Sequence, residues 1–172
     1  MLKVLEILKA NFPELILDES TSPVSISIPA IDLVAICQEL YQNDQLYFDM
    51  LSCITGIDNG EEAGTMEVIY NLYSISNEQS VMLKVMLDRN KENEAMPSIP
   101  TVIHIWKTAD WHEREIFDLL GIEFTNHPDL RRILMPADWE GHPLRKDYKD
   151  MERYRGMSVV YDRDEEATTT DK

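Results

Sequence analysis

Between Ala109 and Lys149 the chain gathers many of the side chains that could take part in chemistry. Trp111, Glu113, Arg114, Glu115 and Asp118 crowd into one short helical stretch. His127, Arg131, Arg132, His142, Arg145 and Lys146 follow on backbone broken by proline and glycine. Neighbouring acids suggest general acid–base work, and His112–Glu113 begins like the HExxH of a zinc protease. The spacing supports neither. Glu113 and Glu115, at alternate helix positions, do not converge on one point, and residue 116 is Ile where a zincin needs its second histidine. His104, His112, His127 and His142 are scattered, and the last two each precede a proline, which suits loop-bracing better than ligation. No GxSxG, P-loop or GxGxxG occurs. Cys37 and Cys53 form no CxxC pair, so neither a zinc site nor a cysteine-ligated iron–sulfur cluster is expected, only two buried thiols in a reducing cytoplasm. We expect no catalytic, cofactor-binding or metal-ligating residue in this chain. A free-standing enzyme built on Glu113, Glu115 and a histidine is the competing reading; a stoichiometric metal or hydrolase activity in the isolated protein would favour it.

Docking is the alternative to chemistry. Irregular backbone loaded with hydrogen-bonding groups needs something to hold it, and loops carry function more often than their scaffold does. The spacing predicts a helix over Trp111–Leu120, with Asp110 and Glu113 as a capping box, Ile116, Phe117 and Leu120 as its buried stripe, and Gly121 at the left-handed C-terminal position. Arg114 and Asp118 stand one turn apart and can pair, for ~0.2–0.5 kcal/mol if exposed. Glu115 and Asp118 share a face and could meet Arg131, Arg132 or Arg145 in charge-assisted contacts. For any single residue, fastening to its own domain and contact with another subunit both stand. The segment as a whole favours a partner, because it holds few apolar anchors beyond Leu130, Ile133, Leu134, Trp139 and Leu144.

The elements that must position this stretch lie upstream. With 172 residues and 44% hydrophobic content the chain suits one domain with an appended segment. Its formal charge of −16 argues against nucleic acid. The charge is uneven: residues 1–107 sum to −10 and residues 128–155 to +1, so the arginines concentrate where the backbone is least regular. No signal-peptide core is present, and no apolar run approaches the ~18–20 residues of a membrane span.

Leu2, Leu5, Ile7, Leu8 and Phe12 recur at helical spacing up to Pro13. Leu15–Asp18 and Val24–Ile28 read as strands. After Pro29, the residues Ile31, Val34, Ala35, Gln38 and Leu40–Tyr41 suggest an amphipathic helix. Leu46–Ile57 reads as a long strand. Met66, Val68, Tyr70 and Leu72, then Val81, Leu83, Val85 and Leu87, alternate as the two arms of a hairpin turning at Ser76–Gln79. Arg89–Pro100 closes the unit, and Thr101–Trp106 leans to a short helix. The expected fold class is α+β: a two-layer domain with a roughly five-stranded, mixed but largely antiparallel sheet, helices on one face, and an extended C-terminal arm. The division expected is a scaffold at 1–90, a linker and signature helix at 91–122, a partner-wrapping arm at 123–161, and an acidic disordered tail at 162–172.

The words of the segment go further. Glu113-Arg114-Glu115-Ile-Phe-Asp118-Leu-Leu-Gly121-Ile, then His127-Pro-Asp-Leu-Arg131-Arg132-Ile-Leu, then Glu140-Gly141-His142-Pro143-Leu-Arg145-Lys146-Asp147-Tyr, closely resemble the 30-kilodalton subunit family of respiratory complex I, the C-type subunit of NADH–quinone oxidoreductase. The resemblance is strong over residues 97–150 and elsewhere agrees in element order only. It implies a cofactor-free subunit of the peripheral arm, lying on the cytoplasmic side of the membrane and reaching that membrane only through the complex. Its C-terminal extension would wrap the 49-kilodalton (D-type) subunit, near the B-type subunit. FMN, iron–sulfur clusters and the quinone site would all belong to partner chains, with proton translocation in the membrane arm. Trp111, Glu113, Arg114, Glu115, Asp118, Gly121, His127, Arg131, Arg132, Gly141, His142, Pro143, Arg145, Lys146 and Asp147 would then be signature or interface residues. The alternative within the same superfamily is the equivalent subunit of a membrane-bound hydrogenase or of a complex fed by ferredoxin or F420.

Overall fold

The computed structural model describes residues 2–19, 23–91 and 94–159; the tail expected from Asp162 lies outside them. Helix α1 (Leu2–Lys9) leads into strands β1 (Ile16–Asp18) and β2 (Ser25–Ile28), a 3₁₀ turn (Ala30–Asp32) and helix α2 (Leu33–Gln42). Strands β3 (Met50–Asp58), β4 (Thr65–Ser74) and β5 (Gln79–Asp88) follow. The five strands form one sheet in the order β1-β2-β5-β4-β3, antiparallel except for the β2–β5 pair. This is the mixed, largely antiparallel sheet that the alternation predicts.

Register explains the core. Met66↔Leu87, Val68↔Val85, Tyr70↔Leu83 and Leu72↔Val81 place eight apolar side chains on one face of the central hairpin. All eight are buried, and α1 and α2 contribute Val4, Leu8, Leu33, Ile36, Cys37 and Leu40 to the same cluster. At ~1.5–3 kcal/mol per fully buried large aliphatic side chain, this cluster dominates the stability of the domain. No helix among the described residues is long and apolar enough to cross a membrane.

Several local expectations need correction. The buried stripe of α2 is Leu33, Ile36, Cys37 and Leu40, whereas Ile31 is 86% exposed. Pro29 opens a 3₁₀ turn, not the α-helix, and within α2 the residues Leu33, Ile36, Cys37 and Leu40 keep the spacing of one helical face. Strand β3 starts at Met50, not Leu46; Leu46 and Phe48 are buried from a turn whose amides bond back to Asn43 and Leu40. Thr101–Trp106 makes a single turn rather than a helix, with the amides of Ile105 and Trp106 both donating to the Val102 carbonyl. Val102, Ile103 and Trp106 are nonetheless all buried. Finally, β6 (Ser98–Pro100) and β7 (Glu123–Thr125) form a small parallel pair that no periodicity announced. Three residues are too few to show alternation.

Candidate functional site

Helix α3 (Ala109–Leu120) positions the signature. Ile116 and Leu120 lie over Gly56 of β3, where a Cβ would collide with the Leu120 side chain. Gly56 pairs with Val68, so α3 covers the same apolar face of the sheet as the core cluster. The helix ends at Gly121 with φ +69°, and there the His142 ring stands only 2.6 Å from where a Cβ would project. Both the left-handed backbone and the close ring demand glycine.

The segment after β7 returns to the end of α3 and is held by one carboxylate. Asp118, with no exposed surface, accepts at Oδ2 the consecutive amides of Ile133 (3.0 Å), Leu134 (2.8 Å) and Met135 (2.8 Å). Successive backbone N–H groups curled around an anion make a strong receptor for charge. Arg132 approaches the other oxygen at 3.5 Å and donates to the Gly141 carbonyl at 2.6 Å. The last carbonyls of α3, which lack helical partners, are taken up too. His142 Nδ1 donates to the Asp118 carbonyl (2.9 Å), and the Leu144 amide donates to the Leu119 carbonyl (2.9 Å). A carbonyl only accepts, so Nδ1 carries the hydrogen. Burial holds the His142 pKa below the usual imidazole range; the Asp118 carbonyl opposes this, while Arg132 and Arg145 reinforce it.

A second carboxylate, Asp58 at the end of β3, fastens the segment further along. Its buried side chain receives Arg89 through Nε (2.8 Å) and Nη2 (3.2 Å), together with the amides of Gly60 (3.0 Å) and Lys146 (2.8 Å). Arg89 also reaches Asp147 at 2.6 Å. Burial alone would push the Asp58 carboxyl up, but Arg89 and the two amides outweigh it and hold the carboxyl below the ordinary range. Arg145 donates to the Asn90 side chain (2.8 Å) and carbonyl (3.2 Å). Beyond these clasps, Trp139 donates to the Tyr148 hydroxyl, and its ring lies 5.1 Å from that of Tyr154. Tyr154 stands in β8 (Arg153–Tyr154), which hairpins with β9 (Met157–Ser158).

Glu113 sits deeper, without exposed surface. It accepts a short bond from the Thr101 hydroxyl and one from the Val102 amide (2.9 Å). Burial pushes its pKa up to about 7 against those two bonds, and Asp110 adds to the rise. No side-chain hydrogen bond caps the N-terminus of α3, so the expected capping box is not made. The Glu113 carboxylate is spent on the 101–102 turn instead. Among the described residues no three His, Cys, Asp or Glu side chains are grouped as a metal site requires.

Comparison with known proteins decides the family. Residues 26–154 match the model of the respiratory-chain NADH dehydrogenase 30-kilodalton subunit. The chain belongs to that family. It is 42% identical over 156 residues to the NADH-quinone oxidoreductase C-type subunit of Geobacter sulfurreducens, covering 87% of this chain and 92% of that one. To the C-type subunit of Chloroherpeton thalassium it is 40% identical over 158 residues, covering 90% of this chain but only 63% of that protein's length. The fold is similar to a chain in the structure of the membrane-bound sulfane sulfur reductase, an archaeal respiratory membrane complex. There the TM-score is 0.70 at 20% identity, over 86% of this chain and 84% of that one, a likeness of fold alone.

Within this 30-kilodalton-type chain the signature residues divide. Glu113, Arg114 and Asp118 are buried, Trp111 is 67% exposed, and Glu115 is exposed. The expected Arg114–Asp118 pair is absent from the described ion pairs: Arg114 lies under the Trp111 ring (5.7 Å to its centroid) and donates to the Arg131 carbonyl. Arg131 pairs with Asp129 in solvent, and the Lys146 side chain is exposed while its amide serves Asp58. Gly141 and Pro143 flank His142; Gly141 takes φ +76° beneath the Tyr148 ring. Asp58 and Arg89 were missed. Their only signal was an acid closing one strand and an arginine closing another, which reads equally well as turn chemistry.

Proposed function

We propose that the chain is a non-catalytic assembly subunit in the peripheral arm of a proton-translocating NADH–quinone oxidoreductase. In this reading electrons pass from NADH through FMN and iron–sulfur centres on other chains to quinone. Residues 126–159 dock onto neighbouring chains, the 49-kilodalton (D-type) and B-type subunits, at the cytoplasmic side of the membrane. The observation that carries it is the way the segment is held. Its inward polar groups are anchored at Asp118 and Asp58, while Leu134 (55%), Leu144 (58%) and Met157 (64%) are left exposed, as is Trp111 (67%) on α3. Fastening backbone while exposing apolar side chains costs stability in isolation and suits a surface that another chain covers.

Tagged chain, purified from solubilised membranes, should bring down the D- and B-type subunits together with flavin-bearing, NADH-binding chains. Absence of those last chains from an otherwise intact assembly would point to the related hydrogenase or ferredoxin- or F420-fed complex. A chain recovered alone from active membranes would overturn the docking reading.

A further inference from the structure

Arg114 is a cation withdrawn from water without a counter-ion. It is 8% exposed, yet among the described residues it makes no ion pair. Its Nε donates to the Arg131 carbonyl (3.3 Å), and the Trp111 ring covers the guanidinium with its centroid 5.7 Å from Cζ. Nη1 and Nη2 donate to nothing among the described residues, and neither is sealed from solvent. We propose that Arg114 is the receptor for one carboxylate of a neighbouring protein chain, taken end-on by Nη1 and Nη2 beside the exposed Trp111 indole. This contact rests on the docking proposed for the C-terminal segment, and it names the chemistry that the neighbouring chain must bring.

The carboxylates of the chain itself are committed elsewhere. Asp118, one turn further along α3, accepts the amides of Ile133, Leu134 and Met135 and faces Arg132. Glu113 is held by Thr101 and Val102, and Asp110 stands towards His127, 3.4 Å from its Nε2. Glu115 follows Arg114 directly, but a helix turns roughly 100° per residue, which sends it to another face and into solvent. Asp129 is close enough to feel the Arg114 charge, yet both its oxygens are taken by Arg131 Nε, at 3.1 and 2.9 Å.

Geometry narrows what can complete the site. A guanidinium pairs with a carboxylate through two parallel N–H···O bonds, along either its Nε–Nη edge or its Nη–Nη edge. The Arg131 carbonyl occupies Nε, so the end-on edge is the one left. A buried cation with no partner destabilises the free chain, and an arriving carboxylate would offset that cost. A small free anion fits less well than a protein. With a net charge of −16 the chain does not gather anions from solution. A free anion would also leave the outer face of the Trp111 indole in water, whereas a chain presenting a carboxylate can cover the ring as well. Tryptophan and arginine side by side are the residue types that dominate binding energy at protein interfaces.

The test uses the full chain, alone and in membranes. In isolation Arg114→Met should unfold at the wild-type urea concentration or a higher one, because an apolar side chain replaces an unpaired buried cation. From solubilised membranes the same tagged variant should bring down neighbouring subunits at a level reduced more than about tenfold. Arg114→Lys keeps the charge but loses the paired donors, so its recovery of partners should fall severalfold; it keeps the test decisive if Arg114→Met does not fold. Partners recovered at the wild-type level with both variants would overturn the proposal and leave the docking intact, whereas a wild-type chain recovered alone would remove both. Inorganic phosphate that shifts the Arg114 side-chain nitrogen-15 resonances of the isolated chain, where acetate does not, would assign the site to a free anion and overturn the protein carboxylate.

Discussion

The inner face of the sheet and the C-terminal segment are held by different physics. The face is a continuous apolar surface in which Val68, Tyr70, Leu83 and Val85 share their burial with two helices and no one residue is decisive. The segment has little apolar burial and hangs from two carboxylates, Asp118 and Asp58, that collect backbone amides and arginines. A surface of many small gains unfolds as a unit; a strand of chain pinned at points opens locally when a pin is lost. Such an arrangement gives the chain a rigid body and a C-terminal segment that can respond separately.

Substitutions should expose that contrast. Leu83→Ala should cost about 2–5 kcal/mol and lower the urea midpoint of the whole domain at unchanged m-value. Asp118→Ala strands the amides of 133–135, at about 1–3 kcal/mol each if they stay buried. Hydrogen exchange there should accelerate sharply while the global urea midpoint moves little; equal loss in both would show that segment and sheet are one cooperative unit. Gly121→Ala imposes a left-handed penalty of about 1–2 kcal/mol and displaces the His142 ring. Released from burial, His142 should titrate closer to an ordinary imidazole, as NMR would record.

Acid should separate the two carboxylate environments. Asp58, held below the ordinary range, contributes stability above the pKa of a free aspartate and loses it as pH falls through its lower folded value. Exchange of the Arg145–Asp147 amides should therefore rise in strong acid, and Asp58→Asn should remove that dependence. The smallest effect on stability, within about 0.5 kcal/mol, should come from Leu134→Ser with Leu144→Ser, because both side chains are exposed. That pair should instead abolish co-purification of neighbouring subunits.

Much of this molecule was legible before folding. Period-two alternation in 66–72 and 81–87 gives the central hairpin, because side chains on one face of a strand recur every second residue. Gly121 was legible for the same kind of reason: few other residues take a left-handed turn after a helix. Local rules failed where the partner was distant or the piece was short. Glu113 has the spacing of a capping residue, yet it binds Thr101 and Val102, because a turn folded beside α3 offered better donors.

The order of residue types thus determined the five strands of the main sheet, the three α-helices, the concentration of cations in the last third of the chain and the family those signature residues mark. Tertiary structure alone decided which charges are spent within the chain and which face outward. Asp58 and Lys146 lie 88 residues apart in sequence and meet at 2.8 Å. Hydrogen bonding depends on distance and direction in space, and neither is written in the spacing of residues along a chain.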